Sequence, residues 1–184
     1  MKDEWGIVLD FLKHGHAIQS RSVPVAQVLG EEHFNILEII PRDDVILKSQ
    51  DRVYIGAGKR DQVKSIIGRI EPSKLTATAH SELKFAIESL IDRNETKFID
   101  FFNKAGPLTT KQHQLELLPS IGKKHMWQII DERKKKPFES FEDLKKRVPL
   151  LPDPKKSVIK RIMDELDGME KWYLFTSPPR TDEM

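Results

Sequence analysis

Up to about residue 72 the apolar positions fall in short runs rich in Val and Ile, separated by Gly, Pro and Asp. That pattern predicts strands over residues 5–12, 23–29, 34–40, 53–57 and 63–70, and five short strands with turn signals between them make a small barrel or sandwich. From Thr78 the period changes. Leu83, Ile87, Leu90 and Ile91 share one helical face, and Phe98, Phe101, Phe102 and Ala105 form a second stripe at spacings of three and four. Such stripes face an interior. Gly106-Pro107 ends this run and reads as a domain boundary.

Beyond the boundary, helix punctuation is explicit. Thr109 with Gln112 and Ser140 with Asp143 read as capping boxes, and Asp153-Pro154 reads as an N-cap followed by proline in the first helical position. An internal repeat runs at an offset of 33: Leu117-Leu118-Pro119, Lys123 and Ile129-Ile130 match Leu150-Leu151-Pro152, Lys156 and Ile162-Met163. Two helix-turn-helix units packed as a pair are expected, since one alone buries too little surface.

Composition narrows the class. At 184 residues and 38% hydrophobic the chain suits one ordinary domain or two small ones. It has no cysteine, which removes disulfides and thiolate zinc sites. The start lacks the apolar run of a signal peptide, and no apolar stretch approaches the ~18 residues of a membrane span. The expectation is a soluble cytoplasmic protein without membrane contact.

The formal net charge of +2 conceals an asymmetry: residues 1–103 carry 14 Lys/Arg against 16 Asp/Glu, whereas residues 104–161 carry 15 against 7. A basic second half suits a polyanionic partner. Within it, residues 115–133 read as helix, tight turn, helix, with Leu115 and Leu118 on one face and Met126, Ile129 and Ile130 on the other. Pro119 ends the first helix, and Gly122 is expected to let the backbone turn sharply into the second. The first amides of that second helix lack intrahelical acceptors, and Lys123 and Lys124 set positive charge beside them, so the turn is a candidate phosphate site.

The residues Leu118-Pro119-Ser120-Ile121-Gly122 resemble the helix-hairpin-helix motif, whose usual form is Leu-Pro-Gly-Ile-Gly followed by a helix. Ser120 replaces the first glycine. The paired arrangement resembles tandem modules that grip a nucleic-acid backbone without reading bases, and in the second copy Pro154 and Lys155 stand in the places of Ile121 and Gly122. The passages "DFLKHGH", "RVYIG", "FIDFFNKA" and "LELLPSIGKKHMWQIIDERKKKPFESFEDLKKRV" together resemble an uncharacterised archaeal family of predicted RNA-binding proteins. The resemblance spans nearly the whole chain. It implies an α+β protein with an OB-like β-barrel over residues 1–72, connecting helices over 73–106, and an all-α tandem helix-hairpin-helix domain over 107–184.

The other constellations are weaker. His14 and His16 lack a third ligand, and Asp43-Asp44 sits where a turn belongs. No glycosylase-like Gly-Pro-Asp element follows the hairpin, where the chain reads Asp131-Glu132-Arg133-Lys134-Lys135-Lys136. No catalytic cluster, metal site or cofactor is therefore expected. Arg133 and Lys134 are candidate phosphate contacts or a solvated helix end. Lys59 and Arg60, after "YIGAG", are candidate contacts on the barrel rim, and Trp5, Phe34 and Tyr54 are candidate base-stacking residues or core. The expected function is non-catalytic binding of nucleic acid, RNA rather than DNA, through Pro119, Ser120, Ile121, Gly122, Lys123 and Lys124. A nucleic-acid-processing enzyme, a DNA-maintenance factor and an adaptor on ribosomal or transcription components remain open.

Overall fold

The computed structural model describes residues 2–16 and 22–178; the ends of the expected barrel and helical domain at Met1 and 179–184 lie outside them. Two compact units emerge, residues 1–87 with 165–184, and residues 88–164. The boundary expected at Gly106-Pro107 falls inside the second unit, and the C-terminal segment returns to the first.

The first unit is built on a curled, antiparallel, five-stranded half-barrel: β1 (Trp5–Leu12), β2 (Val25–Gly30), β3 (Ile36–Pro41), β4 (Arg52–Tyr54) and β5 (Val63–Arg69), in the order β4-β1-β2-β3-β5. Irregular register interrupts the β1–β2 ladder between Val8 and Asp10 and the β3–β5 ladder on either side of Ile39-Ile40. Bulges of this kind bend a strand and increase its twist, which curls the sheet. β4 is shorter than the expected 53–57 because the amides of Ile55 and Gly56 both turn to the carbonyl of Glu4.

Every residue of the central strand β2 is buried. Ala26 and Val28 pack with Val8, Ile39, Leu47, Val53, Ile55 and Val63 in one apolar cluster. Between them Gln27 is fully buried yet satisfied: its Nε2 donates to Glu38 Oε1 and to the Lys74 carbonyl, both at 3.0 Å, and its Oε1 accepts from the Thr76 amide at 2.9 Å. Thr76 in turn caps α1 (Ala77–Arg93) by accepting from the Ala79 amide, and donates to Asp10 at 2.6 Å. One strand residue thereby fixes where the first helix begins, because an unpaired buried amide would cost about 1–3 kcal/mol.

Two more carboxylates hold loops. Asp3 accepts from the amides of Glu32 and His33 and from the side chain of Asn35, closing the β2–β3 turn, and a Cβ on Gly30 would lie 2.2 Å from its carboxyl carbon. Glu165, also buried, accepts from the amides of Leu174, Phe175 and Thr176 at 2.7–3.0 Å, while Arg69 donates to the carbonyls of Ser177 and Pro178. Residues 169–178, which lack regular structure, are thus tied down by their backbone.

The second unit is helical: α2 (Glu95–Lys104), α3 (Lys123–Lys135), α4 (Phe141–Arg147) and α5 (Pro154–Leu166), the last ending across the unit boundary. Phe98, Ile99 and Phe102 of α2, Met126, Ile129 and Ile130 of α3, Phe141 and Leu144 of α4, and Val158, Ile159 and Ile162 of α5 are its core. Each fully buried side chain of this kind contributes about 1.5–3 kcal/mol. Asn103 pairs with both backbone groups of Phe138, donating to its carbonyl at 2.9 Å and accepting from its amide at 2.8 Å. Arg147 lies over the Phe138 ring and donates to the carbonyls of Glu132 and Lys136, which closes the C-terminal end of α3.

The expected cap at Asp153 is present, and at Ser140 half of the expected box forms: its hydroxyl accepts from the Asp143 amide, while the Asp143 carboxylate accepts from the Glu139 amide and not from that of Ser140. The expected box at Thr109 does not form. The amides of Leu108 and Thr109 both bond the Gln112 carbonyl, so residues 109–112 make a turn, and the capping box sits four residues later. There His113 Nδ1 accepts from the Leu115 amide and Glu116 accepts from the His113 amide, ahead of the 3-10 turn Gln114–Leu117.

Candidate nucleic-acid interface

The first hairpin consists of the 3-10 turn Gln114–Leu117, a bend, and α3. Leu115, Leu118 and Ile121 are buried and anchor the turn, while Ser120 and Gly122 stay exposed between them. The left-handed residue of the turn is Ser120, at φ 68, and not Gly122, which has φ −98 and ψ −175. Any residue adopts the conformation of Gly122. A Cβ there would meet nothing within 4 Å. The expectation that Gly122 serves a sharp backbone turn is therefore corrected: neither conformation nor packing requires glycine, and the position is simply bare.

Gly122 is the N-cap of α3 and supplies no side-chain cap. The first intrahelical bond runs from the Met126 amide to the Gly122 carbonyl at 2.9 Å, so the amides of Lys123, Lys124 and His125 have no acceptor within the helix. Lys123 and Lys124 are exposed and, among the described residues, make no ion pair. Trp127 lies one turn on, four residues from Lys123 and three from Lys124, on the same helix face and 57% exposed. The sequence reading missed it, although an indole at that spacing, outside the Met126, Ile129 and Ile130 stripe, was the available signal.

The second hairpin differs where it matters. Asp153 Oδ1 accepts from the amides of Lys155 and Lys156, at 3.1 and 3.2 Å, so a carboxylate already occupies the start of α5. Lys155 is paired with Asp92 at 2.6 Å and Glu88 at 3.5 Å, and that pairing raises its pKa above the ordinary lysine range. An anion arriving there would meet negative charge and no free amide.

The remaining candidates are distributed. Arg133 turns inward and donates to the carbonyl of Phe102 at 2.9 Å; burial lowers its pKa, and it ties α3 to the end of α2. Lys134 is exposed and pairs with Asp131 at 3.7 Å, and Lys135 and Lys136 pair with Glu132 and Glu139, so the basic run at the end of α3 is largely matched by acids. In the first unit, Arg60 donates to the Gly56 carbonyl at 2.8 Å and stiffens the loop after β4. Lys59 borders a cleft of about 310 Å³ with Trp5, Tyr54, Asp61 and Gln62. Phe34, 1% exposed, is core and has no face for a base. Asp44 has φ 66 in a turn and Asp43 pairs with Lys64, while His16 bonds Glu38 at 2.7 Å. A second cleft in this unit, about 710 Å³, includes Arg69, His80 and Glu165, and two of these charges are engaged with the C-terminal backbone.

Among the described residues no helix is long and apolar enough to cross a membrane. The chain is 42% identical over 175 residues to the uncharacterized protein MJ0038 of Methanocaldococcus jannaschii, covering 94% of this chain and 79% of that one. It is similar to the crystal structure of Af1531 from Archaeoglobus fulgidus, with a TM-score of 0.87 and 45% identity, covering 95% of this chain and all of the other. A model of the family described as protein of unknown function, DUF655, matches residues 2–177, and this chain belongs to that family.

Proposed function

We propose that this protein is a non-catalytic nucleic-acid-binding protein, acting on RNA in preference to DNA, which grips the phosphate backbone at Pro119–Lys124. The turn functions as a helix-hairpin-helix, with the second hairpin as its structural partner and the half-barrel as an OB-like second surface. The observation that carries this reading is the bare start of α3: three amides without intrahelical acceptors, a glycine that the fold does not need, and two lysines that have no acidic partner among the described residues. A phosphate there gains amide hydrogen bonds and the helix dipole without displacing any protein contact.

Because a phosphate contact carries no sequence information, binding by the hairpin is sequence-tolerant. With about four to six contacts, the log-log dependence of affinity on salt for duplex DNA should have a slope of roughly −4 to −5. The test is a salt titration on duplex and single-stranded probes with wild type and the double variant Lys123→Glu, Lys124→Glu, folding being followed by circular dichroism. A slope near zero, or full affinity in the folded double variant, removes the hairpin from the site.

A further inference from the structure

The first unit carries a cleft that the hairpin does not use. Trp5 opens β1 directly opposite Tyr54 of β4, and the two rings meet edge to face with centroids 5.1 Å apart. Arg52 lies 4.0 Å from the centre of the Trp5 ring and is itself held by two bonds to Glu31, at 2.7 and 2.8 Å. The indole is thus held between a clamped guanidinium over its ring and a phenol in edge-to-face contact, yet it remains 36% exposed.

The loop after β4 completes the wall. The Gly58 amide donates to the Tyr54 hydroxyl at 3.2 Å, and a Cβ on Gly56 would come within 2.5–2.9 Å of the Tyr54 ring and hydroxyl. The loop can lie against the phenol only because glycine stands there, and it carries Lys59, Asp61 and Gln62 to the rim. The cleft is a preset aromatic corner with an ammonium, a carboxylate and an amide around it.

At about 310 Å³ it stands at the small end of ligand sites, room for one nucleobase with part of its sugar. The aromatic walls suit a flat heterocycle, the amide and carboxylate suit the hydrogen-bonding edge of a base, and Lys59, 89% exposed and in only a long 3.9 Å ion pair with the equally exposed Asp61, suits the adjoining phosphate. A base in a duplex is already stacked on both faces and cannot enter. We propose that the corner formed by Trp5 and Tyr54 takes one unpaired base of a single-stranded RNA. This rests on the reading of the protein as a nucleic-acid binder, and adds to it the class of nucleic acid and a place where an unpaired strand is told from a duplex.

The test uses the full chain and a 12-nucleotide single-stranded RNA with a central 2-aminopurine, beside a duplex of the same length. Wild type should quench the 2-aminopurine as it stacks. Trp5→Leu, confirmed folded by circular dichroism, should lose the quench and about tenfold in single-strand affinity while duplex affinity stays the same. Lys59→Glu, at an exposed side chain that the fold does not need, is the second variant and should also weaken single-strand binding. The double variant Lys123→Glu, Lys124→Glu should lose duplex binding and keep the quench at saturating protein. A folded Trp5→Leu that keeps quench and affinity overturns the cleft and leaves the hairpin standing; loss of the quench only in the lysine variant does the same. Competition by free adenosine monophosphate as strong as by the strand would make the corner a mononucleotide site and overturn the proposal.

Discussion

Gly122 and Asp153 hold the same N-cap position on α3 and α5, and they treat the helix start in opposite ways: Asp153 fills it with its own carboxylate, Gly122 leaves it open. An open and a self-capped helix start thus stand side by side in the repeat. The contrast yields a paired prediction. Gly122→Asp should raise stability by a few tenths of a kcal/mol, because Asp is only slightly better than Gly at an N-cap, and should lower nucleic-acid affinity by tenfold or more through repulsion. Chemical denaturation and filter binding on the same preparation give both numbers, and stability and affinity moving together would contradict the anion site.

Ser120 carries the turn's left-handed backbone at φ 68, where a side chain is strained. Ser120→Gly relieves that strain and should stabilise the protein by about 1 kcal/mol, offset in part by the greater freedom of glycine in the unfolded chain. An increase in the urea midpoint at constant slope is the expected result; a decrease would show that the serine hydroxyl has a role the conformation does not reveal.

His113 accepts from the Leu115 amide through Nδ1, a task only the unprotonated nitrogen performs. Burial, then the charge of Arg133, lower its pKa, with Glu116 acting the other way. The folded pKa thus lies below the unfolded value of about 6.5, so the stabilising contribution is complete above that value and declines as pH falls beneath it. Stability of wild type measured at pH 7.5 and pH 5.5 should fall more than that of His113→Asn, which caps without titrating in this range. Equal losses in the two proteins would place the titration elsewhere.

Glu165 holds three backbone amides of the C-terminal segment. Glu165→Ala leaves them without an acceptor and should cost about 2–4 kcal/mol, or free the segment altogether. Limited trypsin digestion followed by mass spectrometry should show faster cleavage after Lys171 in the variant. An unchanged rate would mean that the Arg69 bonds to Ser177 and Pro178 suffice.

Trp127 shares the exposed face of α3 with Lys123 and Lys124. Trp127 lies outside the buried Met126, Ile129 and Ile130 stripe, so Trp127→Ala should leave the melting temperature within about a degree or two while weakening binding about threefold to tenfold. Fluorescence anisotropy on a labelled RNA gives the affinity, and wild-type binding in this variant would confine the site to the turn.

Most of the secondary-structure elements were legible along the chain, because their signals are local. Alternating Val and Ile runs marked five strands within a few residues, the Leu83–Ile91 and Phe98–Ala105 stripes marked the connecting helices, and Asp153-Pro154 marked the start of α5, since a cap and a helical period require only neighbours. The 33-residue repeat was legible for the same reason: Met126 and Ile129 correspond to Ile159 and Ile162 on the packed faces. Its helices nonetheless begin 31 residues apart, at Lys123 and Pro154, because the second turn is shorter and α5 starts two residues earlier in that register.

The remaining features depend on partners distant in the chain. Which basic side chains are engaged follows from groups brought by other turns and helices: Lys155 meets the carboxylate of Asp92 and Arg133 the carbonyl of Phe102, whereas among the described residues Lys123 and Lys124 meet no acid. That Phe34 is core while Trp5 is half open depends on which remote segments cover each ring, which no alternation pattern encodes. The Trp5–Tyr54 corner needs the β1–β4 register and a loop folded over a phenol, and Gln27 is satisfied by residues 47 and 49 positions away. Local sequence sets backbone conformation through short-range sterics and hydrogen bonds, but the pairing of charges and the exposure of rings are settled only when remote segments meet.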